Sequence, residues 1–90
     1  MTFPNPAGYY LPLPEPLEAA IAMLSKQQLL SVITDVTDAI NLEEPVETVY
    51  LEAIADTAIN ALTVANKIAL LRWMCERLAW MHQGELNAQP

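Results

Sequence analysis

The sequence predicts an all-α fold: a small bundle of three to four helices with an extended, proline-rich N-terminal arm. Three observations carry this. The chain has 90 residues, of which 53% are hydrophobic, with Ala and Leu prominent. It contains only two glycines, and its β-branched runs are short. Apolar residues recur every three to four positions over most of its length, the spacing of one helix face.

Residues 1–16, MTFPNPAGYYLPLPEP, form the arm. They hold Pro4, Pro6, Pro12, Pro14 and Pro16, which exclude helix and favour extended backbone. Phe3, Tyr9, Tyr10, Leu11 and Leu13 make the segment too apolar for an ordinary tail, so the arm is expected to lie on something.

The helical bundle is expected over residues 17–83. Pro16 suits a first helical turn, where its missing N–H costs nothing. Leu17, Ala20, Ile21 and Leu24 then follow at helical spacing. At Ser25 the apolar phase shifts by about 100°, one residue of helical rotation. The run SKQQ matches a capping box, Ser25 as N-cap and Gln28 reaching back, with Leu24 and Leu29 as the hydrophobic staple. Two short helices with a sharp turn fit this better than one. The second, roughly 26–40, carries Leu29, Val32, Ile33, Val36, Ala39 and Ile40, and Asn41 is placed to stop it in the left-handed conformation.

Glu43-Glu44-Pro45 reads as the opening of a third helix, Pro45 at its first position. Its buried face would be Val46, Tyr50, Ala53, Ile54, Ala58 and Ala61. A phase shift near residues 60–63 lets Thr63 cap a fourth helix, 64–82, that Gly84 would end, although helices three and four could equally be one bent rod. Residues 84–90 read as a polar tail.

The fourth helix holds the most informative residues. Its main stripe is Val64, Ile68, Leu71, Cys75 and Leu78, flanked by Met74 and Met81. Trp73 and Trp80 fall on the opposite side with Arg77, four residues from one and three from the other, so the three can meet on one surface. A guanidinium over an exposed indole contributes ~0.5–1 kcal/mol. Two solvated indoles waste apolar area, so a cover is expected: the chain's own arm through Tyr9 or Tyr10, a second copy, or a different protein. Trp73, Arg77, Trp80, Tyr9 and Tyr10 are the candidate partner-binding residues.

Net charge is −7, from eleven acids and four bases. Phosphate neutralisation needs Lys and Arg, so nucleic acid and anionic membrane surfaces are poor partners. Seven acids and no base lie between Asp35 and Asp56, and Asp35, Asp38, Glu43, Glu44 and Glu47 form a candidate acidic face. Its spacing and lack of a central glycine do not fit a calcium loop.

Catalytic signals are weak. One Cys and one His are present, Cys75 and His82, about 10 Å apart along a helix, too far for a thiolate–imidazole pair. Cys75 is expected as an inert buried thiol, and His82 as a cap or cation near a helix C-terminus. No metal, cofactor or enzymatic activity is expected. A single cysteine fits a reducing compartment, the opening MTFPNPAG has no leader-like pattern, and no run is long and apolar enough to span a membrane, so a cytoplasmic location is expected.

The composition and helix four together point to a protein-protein interaction module: an adaptor, assembly factor or regulatory subunit, self-associating through helix four as a homodimer. Two other readings compete. One is a helical ligand carrier or enzyme with an apolar inter-helix pocket lined by Met74, Met81 and Tyr50. The other is an acidic inhibitor or antitoxin that covers a basic site.

Overall fold

A computed structural model describes residues 2–4, 10–12 and 15–88, with side chains from 16 to 85. It is all-α, with four helices: α1 (Glu15–Ala22), α2 (Lys26–Leu42), α3 (Ala53–Asn60) and α4 (Val64–Ala88). Ahead of them, β1 (Thr2–Pro4) and β2 (Tyr10–Pro12) pair as a minimal antiparallel ribbon with Phe3 opposite Leu11. What the arm rests on lies outside the described residues.

Pro16 sits in the first turn of α1, and Leu17, Ile21 and Leu24 are buried. The break at Ser25 is real. Its hydroxyl accepts from Gln28 N–H at 3.2 Å, and the Gln28 side chain accepts from Ser25 N–H at 3.0 Å. Leu24 and Leu29 are both buried beside this cap, where a staple belongs. The stripe of α2 buries Leu29, Val32, Val36 and Ala39.

The end of α2 differs from expectation. Asn41 remains helical, and Glu43 takes the left-handed position, φ 56° and ψ 40°. Pro45 explains this. It bars helical backbone at Glu44, so the reversal falls on the residue before. Glu44 N–H closes the end by bonding Ala39 O at 2.9 Å.

The expected helix at Pro45 does not form. Residues 43–52 are irregular, and α3 begins only at Ala53. Side chains of α3 hold this segment in place of a helical ladder. Asn60 Oδ1 accepts from Val46 N–H at 2.7 Å, and Asn60 Nδ2 donates to Val46 O at 3.1 Å. The Asp56 carboxylate accepts from Thr48 N–H at 3.2 Å and from Thr48 Oγ1 at 2.7 Å. β-branched Val46, Thr48 and Val49 favour such extended backbone. Val46 and Leu51 plug the core from the loop; Tyr50 and Ile54, expected inside, are exposed, and Ala55 and Ile59 are buried instead.

Residues 61–63 separate α3 from α4, so these are two helices. Thr63 caps α4 as expected, its Oγ1 accepting from Asn66 N–H at 3.1 Å. Gly84 does not end α4, which continues to Ala88. Lys26 reaches across from α2 to His82 Nδ1 and Glu85 Oε2, each at 3.0 Å, and so anchors residues on both sides of the glycine.

These contacts fix the topology. The start of α2 meets the last turns of α4, while Ala39 and Ile40 share a cleft with Val64 and Lys67 at its start. α2 and α4 are therefore antiparallel, and α1 packs on α3. The core is Leu17 and Ile21 of α1, Leu29, Val32 and Val36 of α2, Ile59 of α3, and Leu70 and Met74 of α4. Each contributes roughly 1.5–3 kcal/mol by burial.

The buried face of α4 is not the expected one. Ala69, Leu70 and Met74 are buried, and Trp73 and Met81 pack against the core. Of the expected stripe, Val64 is 57% exposed, Ile68 44%, and Cys75 is exposed; Leu71 and Leu78 are half-buried and do pack against the core. The helix is turned by about 100°, one residue's step. Both sides are apolar, and the side carrying Leu70, Trp73, Met74 and Met81 has the greater bulk to remove from water.

Two substitutions test the backbone reading. Nothing lies within 4 Å of a Cβ built at Gly84, so Gly84→Ala is expected to raise stability by about 0.5–1 kcal/mol in chemical denaturation. Glu43→Gly is expected to stabilise by about 0.5–1 kcal/mol, since glycine holds positive φ with the least strain; a lower denaturation midpoint would contradict the assigned helix end.

Candidate functional site

Trp73, Arg77 and Trp80 do share one surface. With Glu76 they line a shallow cleft of about 360 Å³ on α4. Their environments differ sharply. Trp73 is half-buried and leans on the core, whereas Trp80 is 73% exposed. The two indoles therefore do not form a matched outward pair. Arg77 lies between them and turns inward: its Nη2 donates to Ala22 O at 3.0 Å, at the end of α1. A cation there satisfies a terminal carbonyl and meets the negative end of the helix dipole. Its Nε is buried without a hydrogen-bond partner. Arg77 is first a joint between α1 and α4. Tyr9 lies outside the described residues, and so does the side chain of Tyr10, whose backbone is in β2.

The acidic residues gather at one end of the molecule. Asp35, Asp38, Glu44 and Glu47 surround a hollow of about 210 Å³ at the end of α2. Glu43 faces a neighbouring cleft of about 570 Å³ with Glu44, Val64 and Lys67. Lys67 thus brings one base of α4 to the acidic end. At the other end Lys26, His82 and Glu85 form an exposed cluster, His82 Nδ1 lying 3.8 Å from Glu85 Oε2. His82 is six residues short of the helix end and works as a side-chain partner there, not as a C-terminal cap. Among the described residues, no group of three or more His, Cys, Asp or Glu is placed to hold a metal ion.

Two further expectations change. Cys75 is an exposed thiol, because the stripe that carries it faces outward. Met74 is fully buried in the core, Met81 packs against it, and Tyr50 is exposed on the 43–52 loop.

Sequence reasoning took one α4 stripe for core, yet Val64, Ile68 and Cys75 on it are exposed, while Leu71 and Leu78 pack against the core. Val64, Ile68, Leu71, Cys75 and Leu78 are spaced 4, 3, 4, 3, the repeat of a seam between two helices. That spacing was the available signal, but it reads equally as a core stripe. Ala65, Arg72 and Ala79 border the exposed seam, and Arg72 Nε pairs with Glu76 Oε1 at 3.2 Å.

The fold and this surface define a small, four-helix, all-α protein with an apolar outer helix face. No known protein family, curated protein or solved structure matches the chain. Among the described residues, no helix is long and apolar enough to cross a membrane.

The two tryptophans are separable by mutation. Trp73→Ala should cost about 2–4 kcal/mol of stability, somewhat less than a fully buried aromatic. Trp80→Ala should change stability by less than about 0.5 kcal/mol. Thermal denaturation of both variants checks this, and equal effects would refute the assigned environments.

Proposed function

We propose that the protein is a protein-protein interaction module, an adaptor or regulatory subunit, that self-associates through α4. One observation carries the reading. α4 fills the core with one side, Leu70, Met74 and Met81, yet presents a second apolar side, Val64, Ile68 and Cys75, to solvent. A helix that needs only one partner is polar on its outer face. Trp80 adds a large exposed ring on the same helix.

Burial of this area would drive association, and charge would set its orientation. Asp35, Asp38, Glu44 and Glu47 gather around a hollow at the end of α2 that no α4 residue lines.

The full chain measured by light scattering over a range of concentrations tests the proposal. A mass approaching twice 10.0 kDa is expected as concentration rises. A monomer persisting to about 100 μM, weaker than the micromolar range of useful self-association, would overturn it.

A further inference from the structure

We infer that the acidic end of the molecule docks a basic, amphipathic segment of another protein, whose apolar side sits in the cleft between the end of α2 and the start of α4. This site shares only Val64 with the α4 face proposed above, and it needs no self-association.

The inference starts from charge that the chain itself does not answer. Asp35, Asp38, Glu43, Glu44 and Glu47 surround the end of α2. Among the described residues, none of these five carboxylates has an ion-pair or hydrogen-bond partner. Three of the four bases are engaged elsewhere. Lys26 bonds Glu85 and His82, Arg72 bonds Glu76, and Arg77 donates to the carbonyl of Ala22. Of the four, Lys67 lines the cleft. Five carboxylates against one ammonium leave a negative field, which a concave site concentrates. The C-terminal end of α2 adds the negative pole of its dipole.

The acids are spread out and do not converge on a point. Among the described residues, no group of three or more is placed to hold a metal ion. From Asp35 to Glu43 the row covers about 12 Å of helix axis, roughly two turns. That spread suits several cations carried on one chain.

Apolar surface decides which polycation fits. The cleft of about 570 Å³ is lined by Ile40, Pro45 and Val64 as well as by acids, and the adjoining hollow adds Leu42. Leu42 is 60% exposed and Val64 57%. A cleft of this size takes apolar groups of a ligand. Carboxylates around apolar walls match a helix with one apolar side and Lys or Arg on its flanks, laid into a groove. Nucleic acid and anionic membrane surfaces carry the wrong charge. So does a second copy at this end, with net charge −7.

Fluorescence anisotropy of a labelled peptide on the full chain tests the site. The probe is an amphipathic helix of lysines and leucines, about four turns long. Its control has serine in place of every leucine. The lysine–leucine peptide should bind with a Kd of about 10 μM or below. The serine control should bind about tenfold more weakly, and binding of the probe should weaken steeply as salt rises from about 0.05 to 0.3 M. The double variant Asp38→Asn, Glu44→Gln should bind the probe about tenfold more weakly, and Leu42→Ser about threefold. All three positions are exposed, and circular dichroism checks that helicity is kept. Glu47→Gln, also exposed, replaces the double variant should that one lose helicity. Trp80→Ala should bind the probe as the native chain does, because Trp80 lines a different cleft.

No binding at about 100 μM chain would overturn the site. So would folded acid-neutralised variants that bind as well as the native chain, or a loss in Trp80→Ala equal to theirs. A serine control that binds as tightly as the probe would overturn the apolar seat and leave only a solvated acidic surface.

Discussion

The structure depends on one packing contact, the antiparallel face between α2 and α4. Leu29, Val32 and Val36 meet a layer that includes Leu70 and Met74, and all five are fully buried. Among the described residues, no polar or charged residue is buried in the core. The contact is therefore non-directional along its middle, and apolar packing alone would tolerate a slide of one helix along the other. Polar groups at one end set the register. Lys26 bridges to His82 and Glu85 at one end, and Arg77 holds the terminal carbonyl of Ala22. Each exposed contact is worth little in stability, of order 0–1 kcal/mol, yet only one register satisfies them all.

The segment from 43 to 52 shows how backbone polarity was handled where helix failed. Proline at 45 and a β-branched run made the helical ladder unattractive, so the chain's hydrogen bonds had to go elsewhere. Asn60 and Asp56 supply them, each contacting the segment twice. This lets Val46 and Leu51 enter the core from a loop while their neighbours Val49 and Tyr50 stay outside. Asn60 and Asp56 are thus structural residues, which accounts for two of the three polar side chains on a helix of only eight residues.

The surface of α4 follows from the same packing. Once Leu70, Met74 and Met81 are committed to the core, the rotation of the helix is fixed, and every other side chain falls into place around it. Trp73 is drawn to the edge of the core, Trp80 is left 73% exposed, and Val64, Ile68 and Cys75 face solvent. Acidic charge collects where α2 ends and α4 begins, so the molecule is electrically lopsided along the α4 axis. An apolar face and a charge gradient on one helix are properties that a second helix can read together.

Much of this was legible in the residues. Composition and spacing determined the all-α class, the capping box at Ser25, the separate α1 and α2, the stripe of α2 and the cap at Thr63, because each is a local interaction within four residues. Asn41, Gly84 and the helix at Pro45 misled for the converse reason. A left-handed stop, a helix end and a helix start all compete with contacts from elsewhere in the chain, here Pro45, Lys26 and the side chains of Asn60 and Asp56. The choice between the two apolar sides of α4 was open in the sequence, since a helix period reports that a stripe exists and not which stripe is covered. Only the tertiary structure decided it, by burying the side whose bulk fits against α2.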